Sequence, residues 1–262
     1  MKKITLFISL LSASMFAMAQ SVNVHQGDNS VGFNVSDIDS ITFSIKDAEH
    51  VYDPSTAKGS VICVDGHWQS LGTSISWYNN NVSTAFTKGY QTRVLEKIEF
   101  SKFTNSGANA SCLNSAIGLV QKADYYTIEH GINDWGNFDD YLNNTKNGTF
   151  AASYRQLIDK IYQTNPKAII VLCTPRKAYG FGTYLPAHWY DAKNGIYLKD
   201  YVDIIYKIAE YESLPVADFY RYGGGQRNLA QLSIDQALHP NDDGYQIMAN
   251  LLVEAFQQVL IP

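Results

Sequence analysis

The chain has 262 residues, of which 45% are hydrophobic, 13% aromatic and only 17% charged. This composition is typical of a folded globular protein and excludes an intrinsically disordered one. The formal net charge is −5, and it becomes −7 if a leader containing Lys2 and Lys3 is removed, because the 20 basic residues fall to 18 against 25 acidic ones. An acidic chain of this kind is a poor partner for nucleic acid.

The N-terminus has the three parts of a secretory signal. Met1-Lys-Lys is followed by an apolar run from Ile4 to Phe16 and by the small-residue segment Ala17-Met-Ala19. We expect residues 1–19 to be a signal peptide, and the protein to be exported to the periplasm or secreted. The run is too short for a membrane span, and no later segment approaches 18 consecutive apolar residues.

Residues 20–57 differ in pattern from the rest. Apolar and polar residues alternate in Val22-Asn-Val24 and again from Ile38 to Ile45, with Gly27 and Asp28 supplying a turn. The stretch Lys46 to Lys58 carries Asp, Pro and Ser without periodicity. These features predict a small β appendage and a linker, which precede a main domain at residues 58–262.

The main domain alternates short apolar runs with segments of helical spacing. The predicted elements, in chain order, are Val61 to Val64, Tyr90 to Lys97, Tyr125 to Ile128, Tyr154 to Tyr162, Ala168 to Cys173, Tyr201 to Tyr211, Pro215 to Phe219 and Asp243 to Leu260. Continuous apolar runs indicate strands that are covered on both faces, so the order predicts a three-layer α/β/α domain with a mainly parallel sheet. Ligands of such sheets bind beyond the carboxyl ends of the strands.

Two features lie outside this alternation. Cys63, Cys112 and Cys173 have no metal-ligand spacing and allow at most one disulfide, and we interpret Cys63 and Cys173 as buried free thiols.

The segment Arg176 to Asn194 is rich in aromatic residues and without periodicity, which is typical either of a lid or binding wall or of a surface flap. We find no cofactor-binding motif and predict neither a metal nor a cofactor.

Four short polar segments follow predicted strands in a recognisable order. They are Val61 to Gly72, Asn105 to Ser111, Gly131-Ile-Asn-Asp134 and Asp235-Gln-Ala-Leu-His239-Pro240. Together they resemble the four blocks of the SGNH or GDSL family of esterases and acylhydrolases, from about Gly59 to the C-terminus. The resemblance implies an α/β/α fold of SGNH or flavodoxin-like type.

The resemblance also implies a chemistry. In that family a serine after the first strand attacks an ester carbonyl, a histidine removes its proton, and an aspartate three residues earlier orients the imidazole. Here His239 matches the base. Asn133 matches the side-chain donor to the oxyanion, whereas Ala110 and Gly107 match the two glycines of the second block, of which the later one donates its N–H.

The nucleophile is harder to match to the family motif Gly-Asp-Ser-x-x-x-Gly. If Gly66 and Gly72 are its two glycines, His67 takes the aspartate position and Trp68 the serine position; if Asp65 is the aspartate, Gly66 replaces the serine. Ser70 and Ser74 lie nearby. We retain Ser70 as a candidate nucleophile, with a turn or helix-cap serine as its alternative interpretation.

The orienting carboxylate departs from the family as well. Gln236 stands three residues before His239, and Asp235 lies one position too early. Two hypotheses follow. The first is an exported ester hydrolase that acts on acylated or acetylated glycans or small esters, with a degraded triad. The second is a non-catalytic protein that binds glycans or lipids on the same fold. The sequence does not determine the oligomeric state.

Overall fold

The computed structural model describes residues 21–26, 29–34, 61–77, 88–107, 112–134, 148–178, 190–191, 196–225, 228–234 and 238–260. The chain divides into two compact units, Met1–Ala57 and Lys58–Pro262. In the first unit, β1 (Ser21–Gln26) and β2 (Asn29–Asn34) form an antiparallel pair in which Val22 lies opposite Phe33. The alternating segment from Ile38 to Ile45 and the predicted signal peptide lie outside the described residues.

The second unit is built on a parallel sheet. Its described strands are β3 (Ile62–Gly72), β4 (Ile98–Asn105), β5 (Tyr125–Glu129), β6 (Ile169–Cys173), the short strands β7 (Tyr190–Asp191) and β8 (Ile196–Tyr197), and β9 (Val216–Ala217). Five of them are hydrogen-bonded in the order β4-β3-β5-β6-β9, and every pairing is parallel. The strands β7 and β8 pair separately and antiparallel.

The helices cover both faces of this sheet. Those in the described residues are α1 (Ser74–Trp77), α2 (Tyr90–Leu95), α3 (Leu113–Ala116), α4 (Phe150–Thr164), α5 (Leu198–Glu212), α6 (Phe219–Tyr222) and α7 (Asp242–Leu260). One apolar cluster packs α3, α4 and α5 against one face, and a second packs α2 and α7 against the other. The predicted three-layer α/β/α class is therefore confirmed.

Two features of the sheet differ from the sequence-based prediction. The first strand does not end at Val64 but continues through Asp65, Gly66 and His67 to Gly72, with an irregularity between Val64 and His67. Only its second half, from Trp68 onward, lies between two neighbours, β4 and β5. The strand β4 was not predicted, because its sequence IEFSKFTN mixes polar and apolar residues as an edge strand does.

The order in which strands are added to the sheet reverses at β3. The chain passes from β3 outward to β4 and then returns across β3 to β5. In open α/β sheets the crevice at such a reversal, beyond the carboxyl ends of the strands, is the usual ligand site. The residues that follow β3 and β5 are therefore placed where chemistry is expected.

The structure tests two further predictions, the burial of two cysteines and the lack of a membrane span. All three cysteines are free thiols; Cys173 is buried as predicted, but Cys63 is exposed, on the part of β3 that pairs with β4 and not with β5. Among the described residues, no helix has the length and apolar character needed to cross a membrane.

Candidate active site

Ser74 begins a tight turn at the carboxyl end of β3. The strand ends at Gly72, Thr73 follows, and α1 starts with Ser74; the Trp77 N–H donates to the Thr73 carbonyl at 3.0 Å, which closes the turn. The Ser74 Oγ lies 2.9 Å from the Nε2 of His239. The two residues are 165 positions apart, so the fold alone brings this hydroxyl and this imidazole together.

His239 is held by a small loop in front of α7. The Ile234 N–H donates to the His239 carbonyl at 2.9 Å, and Ser233 and Pro240 form an antiparallel bridge. The side chain of Asn241 accepts a hydrogen bond from the Gly244 N–H at 3.1 Å, as a helix-capping residue does. His239 is consequently fixed just before the helix, with only 9% of its surface exposed.

The two catalytic candidates are also tied together by α7. The hydroxyl of Tyr245, one turn into that helix, donates to the Ile75 carbonyl at 2.9 Å. Tyr245 is fully buried, and its ring stacks at 6.3 Å on Tyr90 of α2. This bond links the turn that carries Ser74 to the helix that follows His239.

The turn after β5 carries the third block. Gly131 has φ +124°, a conformation that L side chains rarely adopt, and the carboxylate of Asp134 accepts from the Gly131 N–H at 3.0 Å and from the Leu113 N–H at 2.8 Å. Burial raises the pKa of Asp134 to about 6. Asn133 lies on this turn and is exposed, so its amide is accessible to a ligand.

Gly107 follows β4 and lies directly against the Ser74 turn. Its N–H donates to the Asn105 side chain at 3.0 Å, and the Asn105 amide donates to the Ser76 carbonyl at 2.7 Å. A Cβ at position 107 would come within 2.7 Å of the Trp77 nitrogen and 2.9 Å of the Thr73 oxygen. Only a glycine lets the two loops approach this closely.

A buried carboxylate lies beneath the same turn. Glu129, the last residue of β5, is fully buried, and its Oε2 accepts from the Thr73 N–H at 3.1 Å, the Thr73 hydroxyl at 2.8 Å and the Ser76 hydroxyl at 3.3 Å. Burial is the largest cause that raises the pKa of Glu129, to about 7, against the lowering effect of these hydrogen bonds. No sequence block singled out this residue.

The residues proposed from the sequence near the nucleophile lie elsewhere. Ser70 is fully buried within β3, and its hydroxyl accepts from the Gln91 amide rather than contacting His239. Gly66 lies in the strand against the Tyr125 ring. The His67 ring is 3.0 Å from the Lys122 carbonyl and 2.9 Å from the Thr104 hydroxyl. These three therefore belong to the sheet and its edge.

Trp68 also belongs to the core. It is fully buried, its indole N–H donates to the Thr127 hydroxyl at 3.1 Å, and its ring packs against Phe100, Phe103 and Phe256. The sequence-based register therefore began the loop several residues too early. With β3 continued to Gly72, the segment Gly72-Thr73-Ser74 aligns with Gly-Asp-Ser of the family motif; Thr73 then stands at the aspartate position and Tyr78 at the position of the second glycine.

Other predicted positions fall outside the described residues. They are Ala110 of the second block, Asp235 and Gln236 before the histidine, and residues 179–189 and 192–194 of the aromatic loop. Within the described part of the chain, no cluster of three or more His, Cys, Asp or Glu side chains could hold a metal ion.

The comparison with known families agrees with this geometry. The GDSL-like lipase/acylhydrolase family matches the chain over residues 65–247, which include Ser74, the turn after β5 and His239. The chain therefore belongs to the GDSL-like lipase/acylhydrolase family. None of the curated proteins that were compared matches it.

Solved structures share the fold. A possible lipase from Chitinophaga pinensis is 25% identical, with a TM-score of 0.56, over 74% of this chain and 98% of that one. A protein from Lactobacillus plantarum is 19% identical, with a TM-score of 0.61, over 75% of this chain and 98% of that one. The second likeness is evidence for the fold alone.

Proposed function

We propose that the protein is a serine ester hydrolase in which Ser74 is the nucleophile and His239 the general base. The observation that carries the proposal is the 2.9 Å contact between the Ser74 Oγ and the His239 Nε2 at the carboxyl end of the sheet. A nucleophile and a base within hydrogen-bond reach are the signature of an activated serine. The site is also where open α/β sheets bind ligands.

The chemistry follows from this pair. The Ser74 Oγ attacks the acyl carbonyl while the His239 Nε2 takes its proton, and the resulting imidazolium gives that proton to the departing alkoxide. Water then attacks the acyl carbonyl while His239 removes its proton, and the imidazolium returns that proton to the Ser74 Oγ as the acyl group leaves as a carboxylic acid. Each step needs the imidazole fixed beside Ser74, and the loop before α7 restrains it by backbone hydrogen bonds.

The oxyanion requires donors on the opposite side of the carbonyl. We assign this role to the Ser74 N–H and the exposed Asn133 amide, with the N–H of Ala110 as the third donor that the family resemblance implies. Asp235 remains our proposal for the carboxylate that orients His239. The loss of one oxyanion donor costs about a hundredfold to a thousandfold in kcat in comparable enzymes.

An exposed aromatic side chain lies close to the proposed nucleophile. Trp77 lies three residues after Ser74 on α1 and is 38% exposed, a platform on which a sugar ring or an acyl chain could pack. We propose acylated or acetylated glycans and small esters as substrates, for a protein exported to the periplasm or secreted. The export proposal rests on the charged, apolar and small-residue segments of residues 1–19.

Hydrolysis of p-nitrophenyl acetate and butyrate by purified protein tests the nucleophile. Ser74→Ala should lower kcat by about a thousandfold or more, because the residual rate then comes from binding and the oxyanion donors alone. A serine-directed fluorophosphonate should label Ser74, and peptide mass spectrometry would identify the labelled residue. Acetylated xylo-oligosaccharides tested in parallel would reveal a preference for glycan esters.

Ser70→Ala is the matched control. It removes the same hydroxyl four residues earlier, inside β3, and should leave kcat within about threefold, because Ser70 contacts Gln91 and not His239. Equal rates for wild type and Ser74→Ala would overturn the esterase proposal and favour the non-catalytic binding protein. That alternative rested on a missing serine and on a displaced aspartate, Asp235, and Ser74 removes the first of these two supports.

A further inference from the structure

We infer that Glu129 is a positioning residue for the proposed nucleophile: its carboxylate holds the turn that presents Ser74 from the neighbouring strand. The inference rests on the proposed function of Ser74. The family motif carries an aspartate immediately before its serine, where this chain has Thr73. In the fold, β5 brings a different carboxylate to the same turn, 56 residues away in sequence.

The contacts are specific to the residues that flank Ser74. Both the backbone N–H and the hydroxyl of Thr73 donate to the Glu129 Oε2, at 3.1 and 2.8 Å. The Ser76 hydroxyl donates to the same oxygen at 3.3 Å and lies 2.6 Å from the Tyr90 hydroxyl. One oxygen thus fixes the residue before Ser74 and a residue two positions after it.

The register of the sheet gives the cause of this geometry. Glu129 lies opposite Gly72 in the parallel pairing of β3 with β5. A Cβ at position 72 would come within 3.2 Å of the Glu129 Oε2 and 2.0 Å of the Ser76 Oγ, so the glycine makes room for the carboxylate and its partner. The glycine before the serine turn and the glutamate at the end of β5 are therefore parts of one arrangement.

The surroundings make this carboxylate costly for the fold. Its other oxygen, Oε1, has no hydrogen-bond partner among the described residues. Among the described residues, the titratable side chains that interact with Glu129 are Tyr90 of α2, Cys173 of β6, Tyr154 of α4 and Asp134 of the turn after β5, and none of these four is basic. Burial of a carboxylate among such neighbours destabilises the folded state, which is expected of a group retained for its function.

The test compares Glu129→Gln with wild type and with Glu99→Gln, which removes a carboxylate from the exposed side of β4. At pH 8.5, above the pKa of Glu129, Glu129→Gln should lower kcat for p-nitrophenyl acetate at least tenfold, with KM within twofold and a melting temperature no lower than that of wild type. Glu99→Gln should leave all three unchanged. A merely structural glutamate would instead lower the melting temperature in step with the rate.

A second readout does not depend on turnover. Hydrogen exchange of a peptide that covers residues 71–77 should speed up at least fivefold in Glu129→Gln, because the Thr73 N–H loses its charged acceptor, while a peptide from α4 should be unchanged. Thr73→Val should reproduce part of the kcat loss, and combining it with Glu129→Gln should add less than the two separate losses.

The outcomes separate the two proposals. If wild type shows no Ser74-dependent hydrolysis but exchange of residues 71–77 still rises in Glu129→Gln, the esterase proposal fails and the positioning role stands. If exchange and kcat both equal those of wild type, the positioning role is overturned. A fall in kcat that merely follows the loss of folded protein would overturn it too.

Discussion

Gly107 shows how one missing side chain shapes the neighbourhood of Ser74. The residue has backbone atoms of Thr73 and Trp77 within 3 Å of where a Cβ would stand, and both belong to the turn that carries Ser74. Backbone cannot yield as a flexible side chain can. The glycine therefore sets the separation between the loop after β4 and the proposed nucleophile.

We predict that Gly107→Ala destabilises the protein by about 1–3 kcal/mol, as overpacked sites do. It should also lower kcat by about tenfold or more, because displacement of the nucleophile by even about 1 Å is costly. Urea unfolding and ester hydrolysis measure the two effects. Gly118→Ala is the control, since a Cβ there meets nothing within 4 Å. Equal stability of the two variants would contradict the steric argument.

Arg176 joins the end of β6 to the loops before and after residue 228. It follows β6 and is 1% exposed, and its guanidinium donates to the Gly223 carbonyl at 2.7 Å, the Ser233 hydroxyl at 2.9 Å and the Leu232 carbonyl at 3.2 Å. Burial lowers the pKa of Arg176 to about 10. Ser233 also bridges to Pro240, so this arginine anchors the loop that holds His239.

Arg176→Met should cost about 2–4 kcal/mol of unfolding free energy, because buried acceptors lose their donors. Since the loop before α7 loses its anchor, kcat should fall more than KM rises. Arg221→Met provides the comparison. The Arg221 side chain is exposed and its guanidinium lies 4.5 Å from the Tyr206 ring centroid, so its removal should lower the free energy of unfolding by less than about 1 kcal/mol. Similar losses in the two variants would contradict the anchoring role.

The carboxyl ends of β3 and β5 form the centre of the proposed active site. β5 supplies Glu129 beneath the Ser74 turn and, two residues later, the positive φ of Gly131 that starts the turn carrying Asn133. β3 supplies the turn itself. Because these strands are hydrogen-bonded neighbours, one register positions the proposed nucleophile and one proposed oxyanion donor together.

The stability of the whole protein in acid should depend on His130. This residue is fully buried, neither ring nitrogen has a hydrogen-bond partner among the described residues, and burial lowers its pKa to about 3. The unfolded chain binds a proton at this histidine near pH 6.5, but the folded protein does not until about pH 3. The stabilising effect of the neutral imidazole is therefore complete above about pH 6.5 and is lost as the pH falls toward 3.

Glu129 and Asp134 act in the opposite direction. Their pKa values are raised in the folded state to about 7 and about 6, so their contribution to stability falls as the pH rises from about 4 to those values. Acid unfolding of the wild type therefore combines one group that favours folding at higher pH with two that favour it at lower pH.

His130→Leu isolates the first contribution. Because an apolar side chain cannot be protonated, the variant should lack a loss of up to about 4–5 kcal/mol that wild type undergoes between pH 6.5 and 3. Its acid-unfolding midpoint, followed by circular dichroism, should lie at lower pH, with little difference between the two proteins at pH 8. Parallel stability curves for variant and wild type would contradict the assignment.

Much of the architecture could be predicted from local patterns. The apolar runs at β5 and β6 and the helical spacing in α4, α5 and α7 indicate a three-layer α/β/α domain, because such runs alternating with helices are typical of a parallel sheet covered on both faces. His239 and Gly131-Ile-Asn-Asp134 could be identified because they lie in short motifs next to these elements. The strand β4 could not, since an edge strand lacks a continuous apolar run.

The proposed nucleophile depended on where one strand ends. The sequence from Asp65 to His67 looks like the start of a loop, yet β3 continues through it. Two partners bind the polar groups of His67 there: the Asp124 carboxylate accepts from its backbone N–H, and the Thr104 hydroxyl forms a hydrogen bond with its ring. Those partners are distant in sequence, so no local pattern contains them. Once the strand reaches Gly72, Ser74 falls at its carboxyl end.

The sequence therefore determines the class of fold, the family and the two motifs that bear His239 and Asn133, because these depend on periodicity and on short runs of neighbouring residues. Tertiary structure alone decides which serine meets the histidine and that Glu129 reaches the same turn, because both follow from strand length and register. Register is set by pairing with distant strands and by burial on both faces, and a shift of one residue would turn Glu129 away from Thr73.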